Sequence, residues 1–215
     1  MKCILCESQE LSIFFKRNDP HLGDREYVKC VCCELVFLLP KYFLTKSEEK
    51  SRYDLHENTP NDDRYINFLQ RLTDPLLKKI KKGSVGLDYG CGPGPAISTI
   101  LEAHGMSVKD FDPVYFDDQS LLNDKYDFIT CSEVAEHFYN PRVEFLRLSS
   151  ILKDKGGYLA VMTQFRREEN DFSAWWYQRE PTHVSFYHKR TFLWISRFLG
   201  LDVEFPENNI VIFSK

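Results

Sequence analysis

Three groups of residues in this 215-residue sequence could do chemistry. The first is a set of thiols. Five of the seven cysteines fall within the first 33 residues, as Cys3-x-x-Cys6 and Cys30-Val31-Cys32-Cys33. Two CxxC pairs supply four thiolates, which close a tetrahedron around Zn²⁺ with no open position. The CxxC spacing selects Cys3, Cys6, Cys30 and Cys33 as ligands of a structural zinc and leaves Cys32 over. The second group is a glycine turn, Leu87-Asp88-Tyr89-Gly90-Cys91-Gly92-Pro93-Gly94-Pro95, followed by a further carboxylate at Asp112. Glycines at alternate positions let a backbone turn sharply and pass close to a ligand. The third is a pair of imidazoles, His137 and His183, each able to exchange a proton near neutral pH. His137 follows Glu133 and Glu136, and His183 follows the aromatic run 175–177.

These groups need elements to position them. Residues 1–40 read as one zinc-ribbon module, with short strands at 11–15 and 35–39, a turn at 21–24, and Pro40 as its close. Residues 41–84 are polar and read as a helical linker or lid. A helix starts near Ser47, and Ile66, Leu69, Leu72, Leu76, Leu77 and Ile80 recur at helical spacing over 62–82, with a bend at Pro75. Residues 85–215 alternate strands with helices. Strands are predicted at 85–89, 107–111, 126–131 and 158–163, and helices at 96–104, 140–153 and 191–199. A closing hairpin pairs 201–205 with 210–213. Asn140-Pro141 is a strong helix start, Asn as the cap and Pro in the first turn. Such alternation predicts a doubly wound, mostly parallel sheet with helices on both faces and a ligand at the carboxyl ends of its strands.

The glycine turn is not the dinucleotide fingerprint, because Pro95 stands where GxGxxG needs Gly or Ala. Its pattern is Asp-x-Gly-x-Gly-x-Gly. With Asp112 at the end of the second strand, Asp127-Phe128-Ile129-Thr130-Cys131-Ser132-Glu133-Val134-Ala135-Glu136-His137, the Gly156-Gly157 turn and Pro181-Thr182-His183-Val184, it resembles the class I S-adenosylmethionine-dependent methyltransferases of small-molecule type. The resemblance covers about 85–215. It implies a Rossmann-like α/β fold with a closing antiparallel strand, here behind a small N-terminal zinc ribbon, and S-adenosylmethionine as cofactor. It also implies that Asp88 holds the cofactor's amino group and that Gly90, Gly92 and Gly94 floor its methionine and ribose. Asp112 would accept the ribose hydroxyls, and Cys91, Pro113, Ser132, Glu133 and Val134 complete the cofactor contacts. Where the acceptor must lose a proton, the base is His137 or His183. The family usually fits a helix and a strand between positions equivalent to Asp112 and Tyr126. Only 13 residues lie between them here, so that strand is expected to be short or missing. Asp117, Asp118, Phe111, Tyr115 and Phe116 are the candidates for the adenine contact.

Composition narrows the partners. Net charge is −4, and residues 1–40 carry five Lys/Arg against six Asp/Glu. A nucleic-acid reader needs a basic face, so a small-molecule acceptor is the expectation. The alternatives are an RNA or protein methyltransferase docking through the ribbon, and a non-catalytic, cofactor-sensing interaction protein. No window approaches 18 apolar residues and the first ten residues hold no long apolar run, so the expectation is a cytoplasmic protein with no membrane span.

Overall fold

The computed structural model describes residues 1–19, 23–55, 62–166 and 172–215. Its N-terminal strands, β1 (Leu11–Asp19), β2 (Gly23–Cys30) and β3 (Val36–Leu38), form an antiparallel ribbon. The turn expected at 21–24 lies partly outside the described residues. The two CxxC segments form matched loops. In each, the first cysteine's N–H donates to the carbonyl five residues on, Cys3 to Ser8 and Cys30 to Leu35, both at 2.9 Å. The residue after the second cysteine returns its N–H to the first, Glu7 to Cys3 and Glu34 to Cys30, both at 3.0 Å. Glu7 and Glu34 are left-handed, at φ 64° and 63°. That conformation costs a residue with a side chain about 1–2 kcal/mol, and both loops accept it to bring their thiols together.

Next come α1 (Lys46–Tyr53), begun by a Thr45–Glu48 capping box, and α2 (Asp63–Leu77), capped by Asp62 and containing Pro75. The main sheet holds β4 (Val85–Tyr89), β5 (Ser107–Phe111), β6 (Phe128–Ser132) and β7 (Tyr158–Met162), all parallel. The hairpin β9 (Asp202–Glu207) and β10 (Ile210–Ser214) closes it antiparallel, in the order β5-β4-β6-β7-β10-β9. Alternation along β7 shows how both faces are covered. Ala160 and Met162 pack with Leu69, Leu72 and Leu76 of α2 and with Ile97 and Leu101 of α3 (Ala96–Ala103). Leu159 and Val161 pack with Phe145 and Leu148 of α4 (Pro141–Ser150) and with Phe192 and Ile195 of α5 (Lys189–Leu199). Cys3, Leu5, Cys30, Cys33 and Leu35 join this second core, so the ribbon packs on the α4–α5 side.

One short strand from the C-terminal part of the chain joins the ribbon. β8 (Ser185–Phe186) pairs with β3 and completes a four-stranded sheet, β1-β2-β3-β8. A two-residue strand has no readable period, and the sequence shows no sign of it.

Three boundaries differ from expectation. β6 begins at Phe128 rather than 126, because Tyr126 bridges Leu152 and the Asp127 carboxylate accepts the Val85 N–H at 2.9 Å. Pro206 lies inside β9 rather than in the turn, which an edge strand tolerates. Between Asp112 and Tyr126 there is a 3-10 turn, Gln119–Asn123, and no strand, so β5 is the sheet edge. Among the described residues no helix is long and apolar enough to cross a membrane.

Gly86 sits where β4 meets the Phe128 ring. A Cβ there would lie 2.1 Å from ring carbons. Gly86→Ala is therefore expected to lower stability by about 1–3 kcal/mol. Adding Phe128→Leu should recover part of that loss, measured by equilibrium urea unfolding.

Candidate active site

β4, β5 and β6 end together on a cavity of about 1070 Å³, at the point where chain order reverses from β5 to β6 across β4. Such switch points are where open α/β sheets bind ligands. Gly90 leaves β4 at φ 81°, and a Cβ there would lie 2.4 Å from Val134. Its N–H donates to the Phe111 carbonyl at 2.7 Å. The Gly92 N–H donates to Asp112 Oδ2 at 3.0 Å, and Asp112 Oδ1 accepts from the N–H groups of Val114 and Tyr115 at 2.8 and 3.1 Å. Asp112 thus locks the glycine turn to the end of β5.

Asp88 is 3% exposed, and its Oδ1 accepts the Thr130 hydroxyl at 2.7 Å. Burial pushes its carboxyl up to about 7, with Asp110 and Asp112 adding to the shift against the Thr130 hydrogen bond. Asp88, Gly90, Cys91, Gly92, Asp112, Pro113, Ser132, Glu133 and Val134 all line the cavity, whereas Gly94 lies outside the lining. Phe111 and Tyr115 line it too, joined by Gln119 and Leu122. Asp117, Asp118 and Phe116 do not: the two acids are exposed, Asp118 caps the 3-10 turn through the Ser120 N–H, and Phe116 is 41% exposed.

The far end of the same cavity holds Glu133, Glu136, His137, Trp176, Tyr177 and His183. Glu133 is left-handed, φ 53°, and accepts the Tyr177 hydroxyl on Oε2 at 3.2 Å. Burial first, and then the Glu136 charge, push its carboxyl up to about 9. The His137 and His183 rings meet edge to face with centroids 4.8 Å apart. Burial holds His137 down near 4, so the ring is neutral at physiological pH. The structure brings both histidines singled out in the sequence to one place, although they are 46 residues apart in the chain. Trp175 instead packs with Phe172, Tyr177 and Phe186.

The segment read as a linker or lid supplies two walls of the cavity. Tyr65, Phe68 and Leu69 of α2 form one, and Lys46, Glu49 and Tyr53 of α1 form the other. α1 is fixed there by Arg52 pairing with Glu180 at 3.1 Å and by Tyr53 standing edge-on to His137. The helical periodicity of α2 was a usable signal, but α1 buries no residue fully and carries none. His56, in the same segment, lies outside the described residues.

Away from the cavity, the sulfurs of Cys3, Cys6, Cys30 and Cys33 lie within 4.8 Å of one another, with Cys3–Cys33 at 3.6 Å and Cys6–Cys30 at 3.4 Å. Four thiolates at about 2.3 Å from a tetrahedral Zn²⁺ would stand about 3.8 Å apart, so the cluster fits that ion. Cys32 is exposed and apart from it.

The model of the methyltransferase domain family matches residues 62–204. A sequence search of curated proteins returns no match. Among solved structures, the chain is similar to magnesium protoporphyrin IX methyltransferase from Synechocystis PCC 6803. With bound SAM that structure is 16% identical, covers 81% of this chain and 94% of its own, and has a TM-score of 0.50. With bound SAH the values are 15%, 81%, 96% and 0.51. A SAM-dependent methyltransferase from Archaeoglobus fulgidus is 17% identical over 71% of this chain and 100% of its own, with a TM-score of 0.50. These likenesses show the fold.

The buried carboxyl of Asp88 has a consequence for stability. The folded protein keeps its proton up to about pH 7, whereas the unfolded chain loses it near pH 4. Between those values the folded state binds more protons, so this group's contribution makes stability fall as pH rises. Asp88→Asn is expected to flatten that fall, seen as a smaller drop in urea midpoint between about pH 4 and pH 7 than in the unaltered protein.

Proposed function

We propose a specific reaction for this chain, which belongs to the methyltransferase domain family: it transfers the methyl group of S-adenosylmethionine to a small-molecule acceptor. One observation carries this reading. A single cavity joins the glycine turn and the two strand-end carboxylates to a pair of imidazoles. The SAM- and SAH-bound structures of the neighbour named magnesium protoporphyrin IX methyltransferase support the cofactor and the acceptor class. The net charge of −4 supports a small molecule over nucleic acid.

The cofactor, when bound, supplies a methyl group on a sulfonium. The protein's task is then proximity and orientation. Asp88 takes the cofactor's ammonium, and a cation beside it favours its charged form. Gly90 and Gly92 offer backbone with no side chain in the way, and Asp112 faces the ribose. Phe111 and Tyr115 cover the adenine in place of the missing strand. Cys91, Pro113, Ser132, Glu133 and Val134 complete the contacts. The proton of a hydroxyl or amine acceptor passes to one of the two imidazoles, His137 or His183. Tyr53 and Trp176 wall the acceptor end against water.

Cys3, Cys6, Cys30 and Cys33 would hold a structural Zn²⁺. Four protein ligands leave no position for chemistry, so the ion's contribution is to the folding of the ribbon. Reduced thiols of this kind suit a cytoplasmic compartment.

Calorimetric titration with S-adenosylmethionine and S-adenosylhomocysteine tests the cofactor site. Binding is expected in the unaltered protein and should weaken by about tenfold, or 1.4 kcal/mol, in both Asp88→Ala and Asp112→Ala. Absence of binding to folded protein would overturn the reading. Elemental analysis tests the ribbon. One zinc per chain is expected, lost in Cys33→Ser and kept in Cys32→Ser, and equal retention in both variants would reject the assigned ligands.

A further inference from the structure

Glu136 lies in the cavity wall with 0% of its surface exposed. Its Oε2 accepts the Thr163 hydroxyl at 2.8 Å, whereas Oε1 has no hydrogen-bond partner. A buried carboxylate oxygen left unpaired is costly and calls for a physical reason. The groups nearest to it supply one. His137 Nε2 is 3.9 Å from Oε1, and His183 Nε2 is 4.0 Å from it.

Both rings are oriented through their other nitrogen. His183 Nδ1 is 2.7 Å from the Tyr177 carbonyl oxygen, and His137 Nδ1 is 3.1 Å from the Thr182 carbonyl oxygen. A carbonyl oxygen only accepts, so each Nδ1 carries a proton, and in a neutral ring the ligating lone pair is the one on Nε2. Tyr53 agrees with this tautomer. Its hydroxyl donates to Glu49 at 3.3 Å and offers its own lone pair to His137 Nδ1 at 3.3 Å. Glu136 Oε1 and the two Nε2 atoms therefore converge on one point. Among the described residues, no Lys or Arg forms an ion pair with Glu136. Imidazoles held by Nδ1–H bonds to backbone carbonyls, with Nε2 presented to a common point, have the outer-shell support of metal ligands.

We propose that Glu136, His137 and His183 bind a first-row divalent cation in the wall of the acceptor end of the cavity. Their donor atoms lie within 4.8 Å of one another. Ligation at about 2.1 Å therefore needs only sub-ångström side-chain shifts. Two imidazoles and one carboxylate suit Mn²⁺, Fe²⁺, Co²⁺ or Zn²⁺ better than Ca²⁺ or Mg²⁺, which prefer oxygen shells. The donors also differ from the all-sulfur cysteine cluster. Glu133 lies on the same wall with its own Oε1 unpartnered. Three protein ligands leave coordination positions open on the cavity side. The role of the ion rests on the methyltransferase reading: the open positions select acceptors that bring two neighbouring oxygens, whose protons the bound cation acidifies for release to solvent, so that neither imidazole serves as base while the ion is held.

The test uses the full chain with its cysteine cluster zinc-loaded, freed of other metal on chelating resin and titrated with Mn²⁺. The paramagnetic resonance signal of the free ion reports binding. One Mn²⁺ per chain is expected, with affinity about tenfold or more weaker in Glu136→Gln and in His137→Asn. His137 is only partly buried, with an 18% exposed side chain, so its variant decides the matter if Glu136→Gln fails to fold; thermal unfolding checks both. A free-ion signal undiminished by excess folded protein overturns the site, as does unchanged affinity in folded His137→Asn. S-adenosylhomocysteine is titrated into the same samples. Cofactor binding without Mn²⁺ binding overturns the cation site alone. Mn²⁺ binding without cofactor binding supports the site and overturns the methyltransferase reading.

Discussion

Val184 has no exposed surface, and both of its backbone groups are engaged across the molecule. Its carbonyl accepts the Leu38 N–H at 2.9 Å, and its own N–H donates to the Glu136 carbonyl at 2.9 Å. On one side is the ribbon; on the other is the turn that carries Glu136 and His137. The neighbours of Val184 continue the pattern. The Ser185 hydroxyl donates to the Phe138 carbonyl at 2.9 Å, and the Tyr187 hydroxyl to the Ala135 carbonyl at 2.9 Å. The chain from 184 to 187 thus satisfies three carbonyls of the wall beside the cavity. Breaking one of these bonds would strand a buried polar group at about 1–3 kcal/mol. The placement of His137 therefore depends on a segment far along the sequence, which the ribbon holds in turn.

A second constraint is the gathering of acid at the strand ends. Asp88, Asp112, Glu133 and Glu136 all border one cavity. Stability alone does not account for this. The carboxyls of Asp88 and Glu133 are raised chiefly by burial, so each costs free energy when charged. The cost is intelligible if the cavity receives positive charge. A sulfonium and an ammonium near Asp88 would relieve one end, and a divalent ion at Glu136 the other. The same field would disfavour anionic ligands, which fits a glycine turn whose sequence departs from the pyrophosphate pattern at Pro95.

Much of this was legible in the sequence, for reasons that differ by element. The strands β4 to β7 are short apolar runs, and their alternation with helices leaves little choice of topology. The thiol set follows from spacing, because the two loops repeat one backbone design around each CxxC. What was not legible depends on tertiary contact. β8 is two residues long, and its pairing with β3 has no periodic trace. α1 is polar, and its place at the cavity rests on Tyr53 against His137 and Arg52 against Glu180. The left-handed backbone of Glu133 and the lone-pair geometry of Glu136 are invisible in residue types. Asp117 and Asp118 looked suited to the adenine contact, yet the 3-10 turn uses Asp118 as its cap.

The two ends of the cavity draw their rigidity from different sources. The glycine turn, Asp88 and Asp112 hang from β4 and β5, in a sheet that contains no ribbon strand. The wall from Ala135 to Phe138 is braced by the 184–187 segment, whose β8 pairs, among the described residues, with β3 of the ribbon. A ribbon of about 40 residues is too small to sustain its own core. Zinc binding to such a module contributes roughly 10–16 kcal/mol, comparable to the whole net stability of a domain, roughly 5–15 kcal/mol. If the cysteines hold zinc, the ion's folding energy reaches the acceptor wall through Leu38, Val184 and Glu136, while the glycine turn stays anchored to the main sheet. A metal with no open coordination position can then govern the geometry of the imidazoles without touching them.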